Sequence, residues 1–286
     1  MGLETLVYDK YGTDNRIGRI TLNRPEKLNT LSPKLLSELR EVLTEAASDS
    51  SVRVIVIRGS GRGFGAGYDL GGGGGDRKPV FPGEEGFVGP RRWDFQTGAR
   101  LQMFLFNLPK VTIAQVHGYC LAGSCEYAMM CDLIVAAEDA VIGHPGIRGL
   151  GHPRNSCIWP MVIGMRKSKE LMYTGDSISG TEAERIGMIN RAVPADQLED
   201  EVTRLAERIA NQSADSLAVH KEALNRWWQA MGMEASVMSA AEYDLIYQLT
   251  DSAIELRRKI AELGLREAFR WRDGRYGDLS GEKGDK

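Results

Sequence analysis

The alternation of hydrophobic and polar positions near the start of the chain predicts strands that flank a helix. Residues 5–9 and 16–22 are short, β-branched and alternating, and the turn residues between them indicate a hairpin. Apolar residues then recur at helical spacing after Ser32 and Pro33, which suit an N-cap and a first helical turn. The apolar run at 53–58 predicts a buried strand. Strand, helix and strand together indicate an α/β architecture.

Farther along, the pattern predicts a long loop and then a change of structural class. Glycines, prolines and charges over 60–92, including five successive glycines at 71–75, predict a loop that acts as a lid or lacks order. We expect a helix, a strand, a glycine turn and another strand over 94–107, 110–117, 118–124 and 133–137. Further helices are predicted over 166–173, 181–186, 196–211, 214–230 and most of 234–272. The chain thus divides into a mixed core, residues 1–195, and a helical region, residues 196–286.

Composition excludes several classes of protein. The 286 residues are 42% hydrophobic and 26% charged, which predicts a folded chain. The 36 basic and 39 acidic residues nearly balance, so the chain lacks the basic field that nucleic-acid binding needs. No apolar run is long enough to span a membrane, and the N-terminus does not resemble a secretory leader. We expect a cytoplasmic protein with neither a nucleic-acid nor a membrane partner.

The four cysteines do not indicate a metal site or a disulfide framework. Cys120, Cys125, Cys131 and Cys157 lack zinc-ligand spacing, and three of them lie in one apolar stretch. Free thiols in a reducing compartment are therefore expected, with no bound metal. Glycine is the residue in excess, with 33 copies against a usual share of about 7% of residues.

Three glycine-rich turns carry the candidate chemistry. The first, residues 65–70, follows the strand at 53–58, and its glycines allow a sharp turn that exposes backbone amides. An ordinary loop in which Asp69 caps a helix explains the same residues. The second, residues 117–126, leads from a buried strand into a helix, where free amides can bind a developing oxyanion. Glu126 lies in the first turn of that helix, where its charge is also favoured by the helix dipole alone.

The third glycine-rich turn, residues 142–153, contains two histidines. His144 and His152 titrate near neutral pH and can act as acid or base. Their spacing does not match a metal site, so hydrogen-bonded loop histidines are the simpler interpretation.

Six segments in order make the chain resemble the crotonase superfamily, the enoyl-CoA hydratases and isomerases. The segments are TLNRPEKLNTLS (21–32), AGYDL (66–70), LPK (108–110), GYCLAGSCEYAMMCDLIVAAEDAVIG (118–143), TGDSISGTEAERIGMINRAVP (174–194) and LREAFRWRDGRYGD (265–278). The resemblance implies an α/β crotonase fold, a spiral of ββα units followed by a C-terminal α-helical trimerisation region. It also implies a homotrimer or a dimer of trimers.

The resemblance implies an acyl-CoA substrate whose thioester oxygen becomes an enolate. The backbone amides that would hold this oxygen map to Tyr68 and Gly123. No separate cofactor is expected, because coenzyme A is part of the substrate. Contacts with the substrate map to Arg24, Lys27, Leu28, Ala66, Asp69, Leu70, Pro145 and Gly146. Arg24 and Lys27 are equally well explained as solvated loop charges.

The acid and base residues match the hydratase pattern only in part. Glu126 corresponds to the first hydratase glutamate and would orient or deprotonate water. The second glutamate, in a Pro-Glu pair, corresponds here to Pro145-Gly146, and glycine cannot transfer a proton. His144 or His152 are candidate replacements. Alternatively, Glu126 acts alone while solvent delivers the second proton.

Three functions remain open from the sequence. The first is an enoyl-CoA hydratase-like lyase that uses Glu126. The second is a histidine-assisted hydrolase of C–C bonds in β-diketones, suggested by His144 and Trp159-Pro160, although the aspartate of that pattern is absent where Arg154 and Asn155 stand. The third is an acyl-CoA-binding protein with little hydratase activity. Trp93, Phe95 and Trp159 are candidates to line the acyl pocket.

Overall fold

Six strands form one sheet in the computed structural model, which describes residues 2–70 and 88–279. The strands are β1 (Leu6–Tyr11), β2 (Ile17–Leu22), β3 (Val54–Gly59), β4 (Val111–Val116), β6 (Leu133–Ala137) and β9 (Arg191–Val193), in the order β1-β2-β3-β4-β6-β9. The predicted hairpin is present, since β1 pairs with β2 in antiparallel register. All other neighbours are parallel, so β2, β3, β4, β6 and β9 end at the same edge.

A smaller sheet of three strands lies beside that edge. It contains β5 (Tyr119–Leu121), β7 (Val141–Gly143) and β8 (Ser177–Ser179), with β5 parallel and β8 antiparallel to β7. The turn predicted over 118–124 is therefore partly a strand. Three residues are too few for the alternation that marks a strand in a sequence, which is why this sheet was not predicted.

Ten helices follow or separate the strands within the described residues. They are α1 (Pro33–Ser48), α2 (Val88–Phe106), α3 (Gly123–Met129), α4 (Ile158–Thr174), α5 (Gly180–Arg185), α6 (Leu198–Ala210), α7 (Ala214–Ala230), α8 (Met233–Tyr247), α9 (Asp251–Leu263) and α10 (Leu265–Asp273). Helix α1 begins as predicted, because the Ser32 side chain accepts a hydrogen bond from the Leu35 amide and Pro33 takes the first helical position.

Some predicted bounds are wrong. Helix α2 begins at Val88, so the end of the loop predicted over 60–92 is helical; the glycine run at 71–75 lies outside the described residues. Helix α4 begins eight residues before the predicted 166–173, and a non-helical Gly164 interrupts its pattern. Most of 234–272 is helical, as predicted; it forms three helices, because Thr250 caps α9 and Gly264 separates α9 from α10.

The core lies between the large sheet and its covering helices. Ile20, Ile55 and Ile113 from neighbouring strands are buried, and helices α1 and α6 turn apolar stripes towards the sheet. These stripes have the helical spacing of a face packed on a core. The arrangement fixes the end of each parallel strand, and the loops that leave β3 and β4 therefore meet at one edge.

The C-terminal helices expose part of their apolar stripe. Val237 and Leu245 of α8 are buried, whereas a second set of apolar side chains on α7, α8 and the turn between them is exposed. This set comprises Leu224, Trp227, Met231, Tyr243 and Ile246. The trimer stays a prediction, and these side chains are where we expect the contact. None of the helices in the described ranges is long and apolar enough to cross a bilayer.

Candidate active site

A cavity of about 1180 Å³ opens at the edge where the parallel strands end. Its walls include the loop around residues 25–31 and the loops after β3, β5 and β7. Helices α2 and α8 also contribute to them. Ligand sites of this kind commonly lie outside the carboxyl ends of parallel strands. The glycine-rich turns of the sequence thus converge on one place.

The loops that carry Tyr68 and Gly123 are fastened to each other by backbone hydrogen bonds. The Gly65 amide donates to the Tyr119 carbonyl at 2.8 Å, and the Leu121 amide donates to the Gly65 carbonyl at 2.9 Å. The Tyr68 ring lies on the Cα of Gly123, since any Cβ there would come within 2.5 Å of a ring carbon. The two segments therefore share one wall of the cavity.

Gly67 permits this close approach. Its φ of +101° is a conformation that side chains with a Cβ rarely adopt, and a Cβ would lie 2.9 Å from the Ala122 Cβ. Its amide donates to the Ser124 hydroxyl at 3.0 Å. Among the described residues, the amides of Tyr68 and Gly123 donate to no protein acceptor. Two free N–H groups at neighbouring positions can together receive a negatively charged oxygen.

The loop after β2 braces the Tyr68 segment. The Ala66 amide donates to the Leu28 carbonyl at 3.0 Å, and the Leu31 amide donates to the Gly67 carbonyl at 2.8 Å. Buried Asn29 donates through its side chain to the Ser60 and Gly63 carbonyls. These bonds hold the two loops as a unit at the mouth of the cavity.

Most of the predicted substrate-binding residues line the cavity. These are Lys27, Leu28, Ala66, Asp69, Leu70, Pro145 and Gly146, together with Trp93 and Phe95 of α2. Arg24 does not line it: the guanidinium pairs with the Asp69 carboxylate at 2.8 Å and donates to the Thr30 carbonyl at 2.7 Å. Trp159 is buried in the core rather than in the cavity wall, because it faces inward from the start of α4.

Glu126 lies in the cavity wall with both carboxylate oxygens engaged. Oε1 is 3.0 Å from His144 Nε2, and Oε2 accepts a hydrogen bond from Gln102 Nε2 at 2.6 Å. The Tyr68 hydroxyl donates to the same Oε2 at 3.3 Å. Asn155 fixes the backbone by donating to the Glu126 carbonyl. The carboxylate is held in one orientation by side chains from three separate segments, and a fourth segment holds its backbone.

The electrostatic surroundings keep Glu126 ionised. Burial alone would raise the pKa of Glu126, but the hydrogen bond and charge of His144, the charge of Arg154 and the Gln102 hydrogen bond hold this pKa below its usual range. Buried groups with a shifted pKa and fixed partners cluster at functional sites, so Glu126 is a candidate active-site residue.

His144 and Gly146 lie together where the sequence lacks the second glutamate. A Cβ on Gly146 would lie 2.9 Å from His144 Cε1 and 3.2 Å from Nδ1, so the imidazole borders the glycine's free side. Nδ1 is buried and has no hydrogen-bond partner within residues 2–70 and 88–279. His152 is held apart from this pair, with Nε2 at 3.0 Å from the Ser156 hydroxyl. Of the two predicted histidines, only His144 contacts Glu126.

A buried ion pair completes this wall. Arg154 donates to Asp244 Oδ2 at 3.3 Å and to the Tyr68 hydroxyl at 2.8 Å, while its guanidinium lies over the Tyr68 and Phe95 rings. Room for the pair comes from a helical glycine, Gly98, whose Cβ would lie 2.5 Å from Arg154 Nη1. Asp244 reaches the site from α8, far along the chain.

The sequence did not single out three of these residues. Gln102, Arg154 and Asp244 are buried polar side chains on segments whose patterns predict only packing. Gly98 was a weak signal, because a glycine inside a helix costs about 1 kcal/mol relative to alanine and calls for a packing reason.

The parallel spiral, the smaller sheet and the cavity between the two glycine loops define a crotonase-fold protein. The family model for enoyl-CoA hydratase/isomerase matches residues 12–255. The chain belongs to the enoyl-CoA hydratase/isomerase family.

Individual relatives agree with this family. The chain is 37% identical over 215 residues to a Dictyostelium discoideum protein named "Probable enoyl-CoA hydratase, mitochondrial", covering 73% of this chain and 72% of that protein. A crystal structure of an enoyl-CoA hydratase from Mycobacterium smegmatis has a TM-score of 0.88 at 33% identity, covering 97% of this chain and 96% of that one. The crystal structure of an enoyl-CoA hydratase/isomerase from Xanthobacter autotrophicus Py2 has a TM-score of 0.83 at 31% identity, covering 95% of this chain and 98% of that one.

Proposed function

We propose that the protein is an enoyl-CoA hydratase-like lyase that adds water to an unsaturated acyl-CoA. The observation that carries this proposal is the juxtaposition of the Tyr68 and Gly123 amides, which have no protein acceptor among the described residues, with the buried Glu126 carboxylate at the cavity wall. The amides receive the thioester oxygen as it becomes an enolate. Glu126 takes a proton from water, whose oxygen bonds to the β-carbon.

The coenzyme A portion binds at the mouth of the cavity in this proposal. Lys27 is exposed there and is available to a phosphate, whereas Leu28, Ala66 and Leu70 offer backbone and apolar contacts. Arg24 acts indirectly, because its guanidinium ties this loop to Asp69. The acyl group extends towards Trp93 and Phe95.

The positions of His144 and Glu126 also support a histidine-assisted C–C hydrolase as a second candidate. The observation that favours it is the contact of 3.0 Å between His144 Nε2 and Glu126, because a carboxylate can orient a histidine that acts as a base. In such an enzyme the carboxylate partner of His144 is Glu126 rather than an aspartate of the same loop. The substrate is then a β-diketone without coenzyme A.

The self-association of the chain belongs to the same proposal. Exposed Leu224, Trp227 and Met231 form an apolar surface on and after α7 that a homotrimer or a dimer of trimers would cover. Sedimentation of the purified protein tests this point, and a monomer at all concentrations would contradict it.

Turnover of 2-enoyl-CoA thioesters from C4 to C10 tests the function. We expect the wild type to hydrate at least one of them and Glu126→Gln to lose about 10²–10⁴-fold in kcat, as is typical on removal of a general base. The matched control is Glu45→Gln, on the outer face of α1. Tight thioester binding without turnover would favour the acyl-CoA-binding alternative, and cleavage of a β-diketone that requires His144 would favour the hydrolase.

A further inference from the structure

The Tyr68 side chain has a position that its backbone role does not explain. Its ring lies on the Cα of Gly123, next to one of the two free amides, and its hydroxyl points to Glu126 rather than to solvent. The phenol is therefore beside both the proposed enolate site and the proposed base.

Three polar groups surround the Tyr68 hydroxyl. It accepts hydrogen bonds from Arg154 Nη1 at 2.8 Å and from Gln102 Nε2 at 3.4 Å, and it donates to Glu126 Oε2 at 3.3 Å. The Arg154 guanidinium and the Gln102 amide nitrogen can only donate, so neither can accept the hydroxyl hydrogen. That hydrogen is therefore directed to the Glu126 carboxylate. A phenolate formed here would lie next to the Arg154 cation.

His144 is less suited to deliver a proton from this place. Its Nε2 is engaged by Glu126 Oε1, on the carboxylate oxygen opposite to the one that Tyr68 contacts. Its Nδ1 is buried next to the free side of Gly146 without a partner. His144 thus positions Glu126 from one carboxylate oxygen, while the Tyr68 hydroxyl contacts the other oxygen and its ring lies beside the proposed enolate site.

We propose that the Tyr68 hydroxyl delivers the proton to the α-carbon, the step for which a hydratase uses its second glutamate. This inference rests on the proposed hydration. Glu126 first removes a proton from water, the water oxygen bonds to the β-carbon, and the electron pair of the double bond passes into the enolate. The enolate then takes the proton from the Tyr68 oxygen, which keeps the electron pair of its O–H bond.

The hydrogen bond between Tyr68 and Glu126 closes the cycle. The proton that Glu126 took from water passes from Oε2 to the phenolate, a transfer between two oxygens already in contact. One water molecule is consumed: its hydroxyl stands on the β-carbon, and the α-carbon has gained one hydrogen. Both side chains return to their starting protonation states, so no further reactant is needed.

Tyr68→Phe tests this role, with Tyr127→Phe as the matched control. Tyr127 is a buried tyrosine of α3 that is not among the residues lining the cavity, and its hydroxyl has no partner in the part of the chain that the structure describes. We expect Tyr68→Phe to lower kcat about 100-fold, within the range for loss of a general acid, while KM stays nearly constant. We expect Tyr127→Phe to keep the wild-type kcat.

The stereochemistry of hydration in D₂O separates chemistry from packing. The wild type should place deuterium on one face of the α-carbon, and the residual activity of Tyr68→Phe should lose this preference because solvent delivers the deuteron. A Tyr68→Phe enzyme with full kcat and unchanged stereochemistry would overturn the inference while leaving the hydratase function intact. A wild type that hydrates no thioester would overturn both.

Site-specific 3-fluorotyrosine at position 68 provides a second variant that preserves the shape of the ring. Fluorination makes the phenol a stronger acid, so the solvent deuterium isotope effect on kcat should differ from that of the wild type. If Tyr68→Phe does not fold, an unchanged isotope effect in the fluorinated enzyme would refute the role of the hydroxyl.

Discussion

Two walls of the same cavity are built on different principles. The backbone wall, residues 65–68 and 121–123, is held by main-chain hydrogen bonds between loops that leave neighbouring strands. The side-chain wall consists of Glu126, His144, Arg154 and Asp244, with Gln102 buried behind Glu126, and these residues come from five segments of the chain. The first wall offers fixed dipoles and the second offers titratable groups. Backbone geometry needs only the local conformation, whereas the charged network needs the whole fold.

The largest effect should follow from removing the cation of the side-chain wall. Arg154→Met leaves the buried Asp244 carboxylate without its ion pair, and loss of one partner of such a pair typically costs about 3–5 kcal/mol of unfolding free energy. Urea denaturation measures the change. The control is Arg226→Met, because the Arg226–Glu222 pair is exposed and its loss should change stability little.

The companion double variant sharpens this point. Arg154→Met with Asp244→Leu removes both charges and should recover much of the lost stability, because no buried charge is left alone. A double variant as unstable as Arg154→Met alone would show that packing, rather than charge pairing, holds this wall.

A change in the backbone wall should lower catalysis in addition to any loss of stability. Gly67→Ala brings a Cβ within 2.9 Å of the Ala122 Cβ at a φ of +101°, which moves the Tyr68 amide. Loss of one oxyanion donor typically lowers kcat about 10²–10³-fold, and steady-state hydration kinetics would measure it.

Gly232→Ala separates strain from the site. Gly232 has a φ of +88° and open space around its Cα, and it lies between α7 and α8. The Gly232→Ala variant should also lose stability because of the positive φ at this position, but it should keep the wild-type kcat. Equal losses of activity in both variants would contradict the assignment of the Tyr68 amide to the site.

The smallest expected effect concerns pH and His152, at the border of the side-chain wall. Burial and the nearby His144 lower the pKa of His152, so the unfolded chain binds more protons at this residue than the folded chain does. The contribution of this group to stability is complete above about pH 6.5, the ordinary histidine pKa, and is lost as pH falls below it.

His152→Gln should therefore weaken the fall in stability between neutral and mildly acidic pH. The midpoint of urea unfolding, measured across that range for wild type and variant, gives the difference. The control is His220→Gln on α7, whose histidine is exposed and should leave the slope unchanged. If the urea midpoint of His152→Gln falls with pH as steeply as that of the wild type, other groups cause the acid sensitivity.

Much of the backbone wall was predictable because its determinants are local. The glycines at 65, 67 and 123 mark turns in the sequence, and the strands before them have clear apolar runs. The family resemblance then groups Tyr68, Gly123, Glu126 and His144 in one site; in the structure Tyr68, Glu126 and His144 line one cavity, and the Gly123 Cα lies against the Tyr68 ring. Arg24 was expected to bind substrate, but single cations carry no signal of their partner, and this one pairs with Asp69.

In the side-chain wall only Glu126 and His144 were predicted, because only these two lie in motifs that the sequence shows. Arg154 and Asp244 are 90 positions apart, and no spacing connects them. Gln102 lies in α2, whose sequence predicts only a packed helix. The three-residue strands of the small sheet were missed for a related reason, since their pairing comes from neighbours rather than from their own pattern.

The sequence by itself determined the family, through the resemblance of six segments in order, and the positions of the glycine turns, because motifs and turn chemistry act over a few residues. It also determined that Gly146 lacks a proton-transfer group. Only the tertiary structure decided that His144 borders this glycine and that the Tyr68 hydroxyl lies between Glu126 and Arg154. Such contacts join distant segments, and the burial that brings them together is a property of the folded chain as a whole.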